Sequence, residues 1–207
     1  MGYEKVTAFL VVGMAALASG AVPPATAPAT TTPEVPTMQP TSPNAASSTI
    51  ITFEKEEIGK LQDSVTEKGV TFKLAWAPQD TAAKGQVMFF PHLKTDKKGI
   101  LNAMATEQGI PIRADFPEGG ASSVTLALWA TVACPVLIEA YDKDGKFLAK
   151  ASRDAAPVRT NPADPIPTFE LKVDAPEGKA IAYILFGGAR SGEALVADEL
   201  RYTPAHP

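Results

Sequence analysis

Val136-Leu137-Ile138-Glu139-Ala140-Tyr141-Asp142-Lys143-Asp144-Gly145-Lys146-Phe147-Leu148-Ala149-Lys150-Ala151 reads as two strands closed by a tight turn. Gly145 supplies the positive φ that such a turn demands, at no steric cost. Asp142, Asp144 and Gly145 also hint at a calcium loop. The bidentate acid that such a loop needs downstream is missing, so the hairpin explains all three.

The same period-two pattern extends in both directions. Upstream, Val124 to Trp129 alternates, as do Ile110, Ile112, Ala114 and Phe116 against Arg113 and Asp115. Further back come Gln86 to Phe90, Val70 to Trp76 and Thr49 to Glu54; downstream lie Thr168 to Val173, Ile181 to Phe186 and Leu195 to Tyr202. Alternation broken by Gly, Pro and Asp predicts about nine or ten strands. The only helix-length candidate, Ile58 to Glu67, is polar and contains Gly59. The expected class is an all-β sandwich. In this reading Trp76 shares the apolar face of its strand and belongs to the core.

The 207 residues do not all enter that fold. Residues 1–20 read as a signal peptide: a short polar start, an apolar run from Val6 to Leu17, then Ala18, Ser19, Gly20 and Ala21, with cleavage expected near Gly20–Ala21. The alternative is retention as an uncleaved anchor, although the run is short for a bilayer and Pro23–Pro24 follows it. Residues 21–48 form a Pro/Thr/Ala-rich linker with one charge, Glu34. It has too few large apolar residues to offset the entropy of ordering, and its prolines keep it extended. Residues 49–203 are the sandwich domain and 204–207 a tail. This places the protein outside the cytoplasm (periplasm, cell surface or medium), with no membrane span expected after the signal segment. The net charge of −4 with no basic block argues against nucleic acid. Cys134 is the sole cysteine, so no internal disulfide forms, and its apolar context predicts an inert buried thiol.

Four motifs occur in order: Ile51-Thr52-Phe53-Glu54, Gly69-Val70-Thr71-Phe72, Ala140-Tyr141-Asp142-Lys143-Asp144-Gly145, and Ala197-Asp198-Glu199-Leu200-Arg201-Tyr202. Together they resemble the galactose-binding-like jelly-roll domains of exported bacterial proteins, close in design to carbohydrate-binding modules. The resemblance implies a jelly roll and a non-catalytic accessory role. It also implies a structural calcium joining the opening and closing strands. Here Ala-Asp-Glu-Leu stands where the family more often has two aspartates, one carboxylate kept and the other lengthened. Glu54 and Asp198 are the candidate metal ligands, with loop carbonyls between Glu57 and Gly69 completing the six to eight oxygens that Ca²⁺ takes. The competing reading makes both solvated strand-end acids.

Trp129 falls on the face opposite Val124, Leu126 and Leu128, beside Thr125 and Ala127. It is either a stacking platform for a sugar ring or the filler of a second buried layer. The stretch from Trp76 to Gly99 reads as a long loop, where binding tends to reside. Its His92 cannot build a zinc site alone and is expected at the surface. Arg113 and Asp115 share a strand face and are suited to sugar hydroxyls, or are an ordinary exposed pair. No Gly-x-Ser-x-Gly, His-Glu-x-x-His or phosphate-cradling loop is present, so no enzyme is expected. The expected role is a carbohydrate-binding-like module contacting glycan or cell-envelope polysaccharide through Trp129, Arg113, Asp115 and His92. The rival is a structural or adhesive envelope component that contacts protein.

Overall fold

The computed structural model describes residues 47–76, 86–92, 97–102, 110–188 and 195–205. The expected signal peptide, all but the last two residues of the linker, and the end of the tail lie outside the described residues. Twelve strands are present among them, and no helix. They are β1 (Thr49–Thr52), β2 (Ser64–Glu67), β3 (Val70–Leu74), β4 (Val87–Pro91), β5 (Lys98–Asn102), β6 (Ile112–Asp115), β7 (Ala121–Ala130), β8 (Val136–Tyr141), β9 (Phe147–Arg153), β10 (Phe169–Asp174), β11 (Tyr183–Gly188) and β12 (Leu195–Pro204). No described helix is long and apolar enough to cross a membrane.

The strands form two antiparallel sheets, a jelly-roll sandwich. The first runs β10-β7-β12-β5-β4, with β1 also on β12; the second runs β2-β3-β6-β11-β8-β9. One edge of β12 is shared between two partners. β1 takes its C-terminal half, from Thr52↔Glu199 to Thr49↔Tyr202, and β5 meets it at Ile100↔Ala197. Between them the register of β12 on β7 slips, so that Asp198 is an extra, bulged residue.

Inward side chains from both sheets make one core. Phe53 packs edge-on against Phe72, ring centroids 5.3 Å apart, and tilts onto Phe89 at 5.6 Å. Around them Ile100, Leu126, Leu128, Ile138, Ile184 and Leu200 are fully buried. Cys134 is buried as expected.

Three expectations are corrected here. Two more strands exist than were anticipated, β2 and β5. The first is a polar edge strand with one buried residue, Val65, and the second begins Lys98-Gly99 inside what read as a loop. Within Trp76–Gly99, β4 and the start of β5 are ordered strands; residues 77–85 and 93–96 lie outside the described ones. Trp76 is not core but 53% exposed, because β3 ends at Leu74 and the chain bends away before the alternation reaches it.

The hairpin matches its reading. Gly145 has φ of 77°, and Asp142 Oδ1 accepts hydrogen bonds from the backbone N–H groups of Asp144 (3.0 Å) and Lys146 (2.8 Å). That carboxylate is spent on the turn.

Candidate functional site

The outer face of the second sheet carries two rows of side chains that cross all six strands. Val70, Phe72 and Leu74 point inward from β3, so Thr71 and Lys73 point outward, and the same parity holds on each neighbour. Register then aligns Thr66, Thr71, Asp115, Tyr183, Tyr141 and Phe147 in one row. Ser64, Lys73, Arg113, Leu185, Glu139 and Lys150 make the next. Five inter-strand spacings give a row about 24 Å long.

The centre of this face is preorganised. Arg113 bonds the Asp115 carboxylate through Nη2 (2.6 Å) and Nε (2.7 Å), both to Oδ1. Lys73 Nζ stands 2.9 Å from Oδ2 as an ion pair, off the line of a well-aligned hydrogen bond. Burial alone would raise the Asp115 carboxyl pKa. The hydrogen bonds of Arg113 and the close cationic contacts of Arg113 and Lys73 outweigh it and hold the group below the ordinary carboxylate range.

The Arg113 guanidinium also lies 3.6 Å from the ring centre of Tyr183, a cation–π contact. Tyr183 stacks on Tyr141 at 5.0 Å with planes 8° apart, and Tyr141 meets Phe147 edge-on at 5.9 Å. Tyr141 donates its hydroxyl proton to Glu139 Oε2 (2.9 Å); burial first, then this bond and the Glu139 charge, push its phenol up to about 12. Tyr183 is thus sandwiched and offers an edge and a hydroxyl, whereas Phe147, 47% exposed, offers ring surface. A groove of about 480 Å³ adjoins the row at the hairpin tip, between Asp142–Asp144 and the segments around Phe116 and Lys179.

Arg113 and Asp115 were legible candidates, and the structure pairs them. Tyr141, Tyr183, Glu139, Lys73 and Phe147 were missed. The signal was available in principle, as outward parity on strands whose order in the sheet sequence alone does not reveal.

Trp129 and His92 lie elsewhere, on the outer side of the first sheet, and the expectations for both are corrected. Trp129 is fully buried: Val196, Met88 and Phe90 pack with it, and Ile166 from the β9–β10 connection closes over it. It fills a second layer, and its ring face is not open to a sugar. His92 is also buried, edge-on to Trp129 at 5.1 Å, its Nε2 3.1 Å from the Ile166 carbonyl oxygen. Its low exposure follows from the same covering segment.

Calcium does not fit the residues present at the Glu54–Asp198 end. β1 and β12 do lie side by side, but the Glu54 side chain is exposed while Asp198 is buried in the bulge. Two ammonium groups occupy the oxygens a metal would use. Lys98 Nζ donates to the carbonyls of Glu54 (2.8 Å) and Glu56 (2.7 Å), and Lys97 Nζ pairs with Asp198 Oδ2 at 3.1 Å. Among the described residues, a dication there would face two like charges and too few oxygens. Among the described residues no group of three or more His, Cys, Asp or Glu gathers elsewhere.

No family model matches the chain, and no curated protein is similar to it. Solved structures of similar architecture include the K1 cleaved adhesin domain of Lys-gingipain from Porphyromonas gingivalis W83, at 12% identity and a TM-score of 0.48, covering 78% of this chain and 99% of that one. A family 29 carbohydrate-binding module from Piromyces equi matches at 9% identity and 0.45, covering 78% and 92%. A family 6 carbohydrate-binding module matches at 11% and 0.40, covering 76% and 94%.

Proposed function

We propose that this domain is a non-catalytic, extracytoplasmic module that binds carbohydrate on the outer face of the β2-β3-β6-β11-β8-β9 sheet. One observation carries the reading. Arg113, Lys73 and Glu139, the two cations braced by Asp115, present fixed charged donors and acceptors beside a line of aromatic rings on a face of half-buried to exposed side chains. A sugar chain is amphipathic in the same way, with hydroxyls around each ring and apolar C–H faces above and below it. Arg113 and Lys73 donate to hydroxyl oxygens, Glu139 accepts from hydroxyl protons, and Asp115, its Oδ2 buried and its Oδ1 taken by Arg113, holds the two cations in place. Phe147 takes a C–H face. Because the side chains are already held by one another, little rotamer entropy is lost on binding. Only the Arg113–Asp115–Tyr183 cluster is asked to supply specificity.

The reading supports no chemistry. The carboxylates on this face are tied to cations or to a phenol, and neither is placed as a general acid opposite a second free carboxylate. A glycan array followed by calorimetry tests the proposal, with wild type, Arg113→Ala and Phe147→Ala. Wild type should bind at least one oligosaccharide class, and each variant should bind it at least about tenfold more weakly, the loss of one charged or aromatic contact of about 1.4 kcal/mol. Wild type that binds no glycan, or variants that bind as well as wild type, retires it. The adhesive alternative would then be pursued from the exposed Ile58 and Leu61.

A further inference from the structure

We infer that Lys97 and Lys98 form a built-in cationic clasp that does for this jelly roll what a divalent ion would do, so that the fold holds its closing strand without metal. The need for positive charge is visible in the acceptors. The turn after β1, held by the Glu56 N–H bonding to the Phe53 carbonyl (3.1 Å), aims the carbonyls of Glu54 and Glu56 at one point. Lys98 Nζ sits at that point, 2.8 and 2.7 Å from the two oxygens, the range of charge-assisted hydrogen bonds.

One residue earlier in the chain, Lys97 reaches the carboxylate of Asp198, which is only 1% exposed. Asp198 Oδ1 has no hydrogen bond, so the ammonium on Oδ2 is what compensates the buried charge. The Lys97 pKa is raised, by the hydrogen bond and charge of Asp198 first, with Glu199 and Glu54 adding to it against the effect of burial. Among the described residues, Asp198, Glu199 and Glu54 therefore all act on the lysine.

The local backbone explains how two adjacent lysines reach both sides of the seam. β12 exchanges one neighbour for another at Asp198, β1 on one side of the bulge and β5 on the other. Gly99 lets β5 press against β12 there. A Cβ at that position would fall 2.4 Å from Val196 Cγ1 and 2.5 Å from the Ala197 carbonyl oxygen, closer than real Cβ contacts come. With that approach, Lys98 turns to the exit of β1 and Lys97 to the bulge. The two ammoniums thus tie β1, β5 and β12 at the point where the sheet would otherwise split.

The test is thermal melting and calcium calorimetry on the wild-type chain, with Lys97→Met and Lys98→Met melted alongside. Wild type should show the same midpoint in chelator and in millimolar calcium, and no saturable calcium binding. Each methionine variant keeps the aliphatic stem, removes the charge and should melt several degrees lower. A wild-type midpoint that falls in chelator, or stoichiometric calcium binding, overturns the inference. So do variants as stable as wild type. The wild-type arms stand even where a variant fails to fold. None of the arms touches the glycan face, so the two proposals fail independently.

Discussion

Replacing Trp129 by alanine separates a core residue from a ligand platform more sharply than any other single change. The side chain is fully buried among Val196, Ile166, Met88 and Phe90, with His92 edge-on to it. Truncating a buried tryptophan costs about 3–5 kcal/mol in lost transfer energy and cavity. One term works the other way. Trp129 Nε1 is buried without a partner, an unmet donor worth about 1–3 kcal/mol that leaves with the indole. Trp129→Phe therefore discards the orphan and keeps most of the packing, and should lie within about 1 kcal/mol of wild type. For a domain of this size each kcal/mol moves Tm by about 2–4 °C, so a net loss of about 2 kcal/mol, about 4 from packing less about 2 for the orphan, should lower the alanine variant's Tm by roughly 4–8 °C. Differential scanning calorimetry and urea unfolding measure this. Fluorescence of Trp76→Phe, which leaves Trp129 alone, should be blue-shifted and shielded from acrylamide. An alanine variant as stable as wild type that has lost glycan binding would refute the reasoning, because it would place the ring at a ligand.

Two further predictions concern titration on the second sheet. Spectrophotometric titration should show one phenol ionising at about 12, and Tyr141→Phe should remove that component; since the folded state holds this proton more tightly, the stabilisation present below pH 10 should fade as pH rises toward 12. Asp115 has the opposite sign: its pKa is lowered on folding, so its contribution is present above the ordinary carboxylate range and is lost as pH falls through the folded value. Asp115→Asn should flatten the acid limb of the stability curve measured by urea unfolding.

The sandwich was readable because a half-buried strand writes its geometry as alternation, and most strands here do so. Ile112 and Ala114 point in while Arg113 and Asp115 point out. β2 escaped because an edge strand needs only one inward residue, and β5 because it opens on Lys98-Gly99, which carry no apolar period. Trp76 misled for a related reason: alternation continued in the letters after the strand had ended. The outer face of the second sheet was half legible. Arg113 and Asp115 lie two apart on one strand, so their pairing is local. Tyr183 and Glu139 join them only because β11 lies between β6 and β8.

The same asymmetry separates the two outer faces of the sandwich. On the first sheet the strongest outward aromatic, Trp129, is sealed under Ile166, and the exposed remainder of that face is polar, with Arg201 bonding Glu199 and Glu170. On the second sheet the outward aromatics are Tyr183 and Tyr141, whose hydroxyl ends tolerate water and whose faces are filled by Arg113 and by each other. Burying an indole behind a loop and leaving phenols on an uncovered face are opposite solutions to the same problem, a large ring on the outside of a sheet. The first yields stability and the second a rigid, partly wet surface. A ligand that needs charged groups and ring edges together finds them side by side on the second.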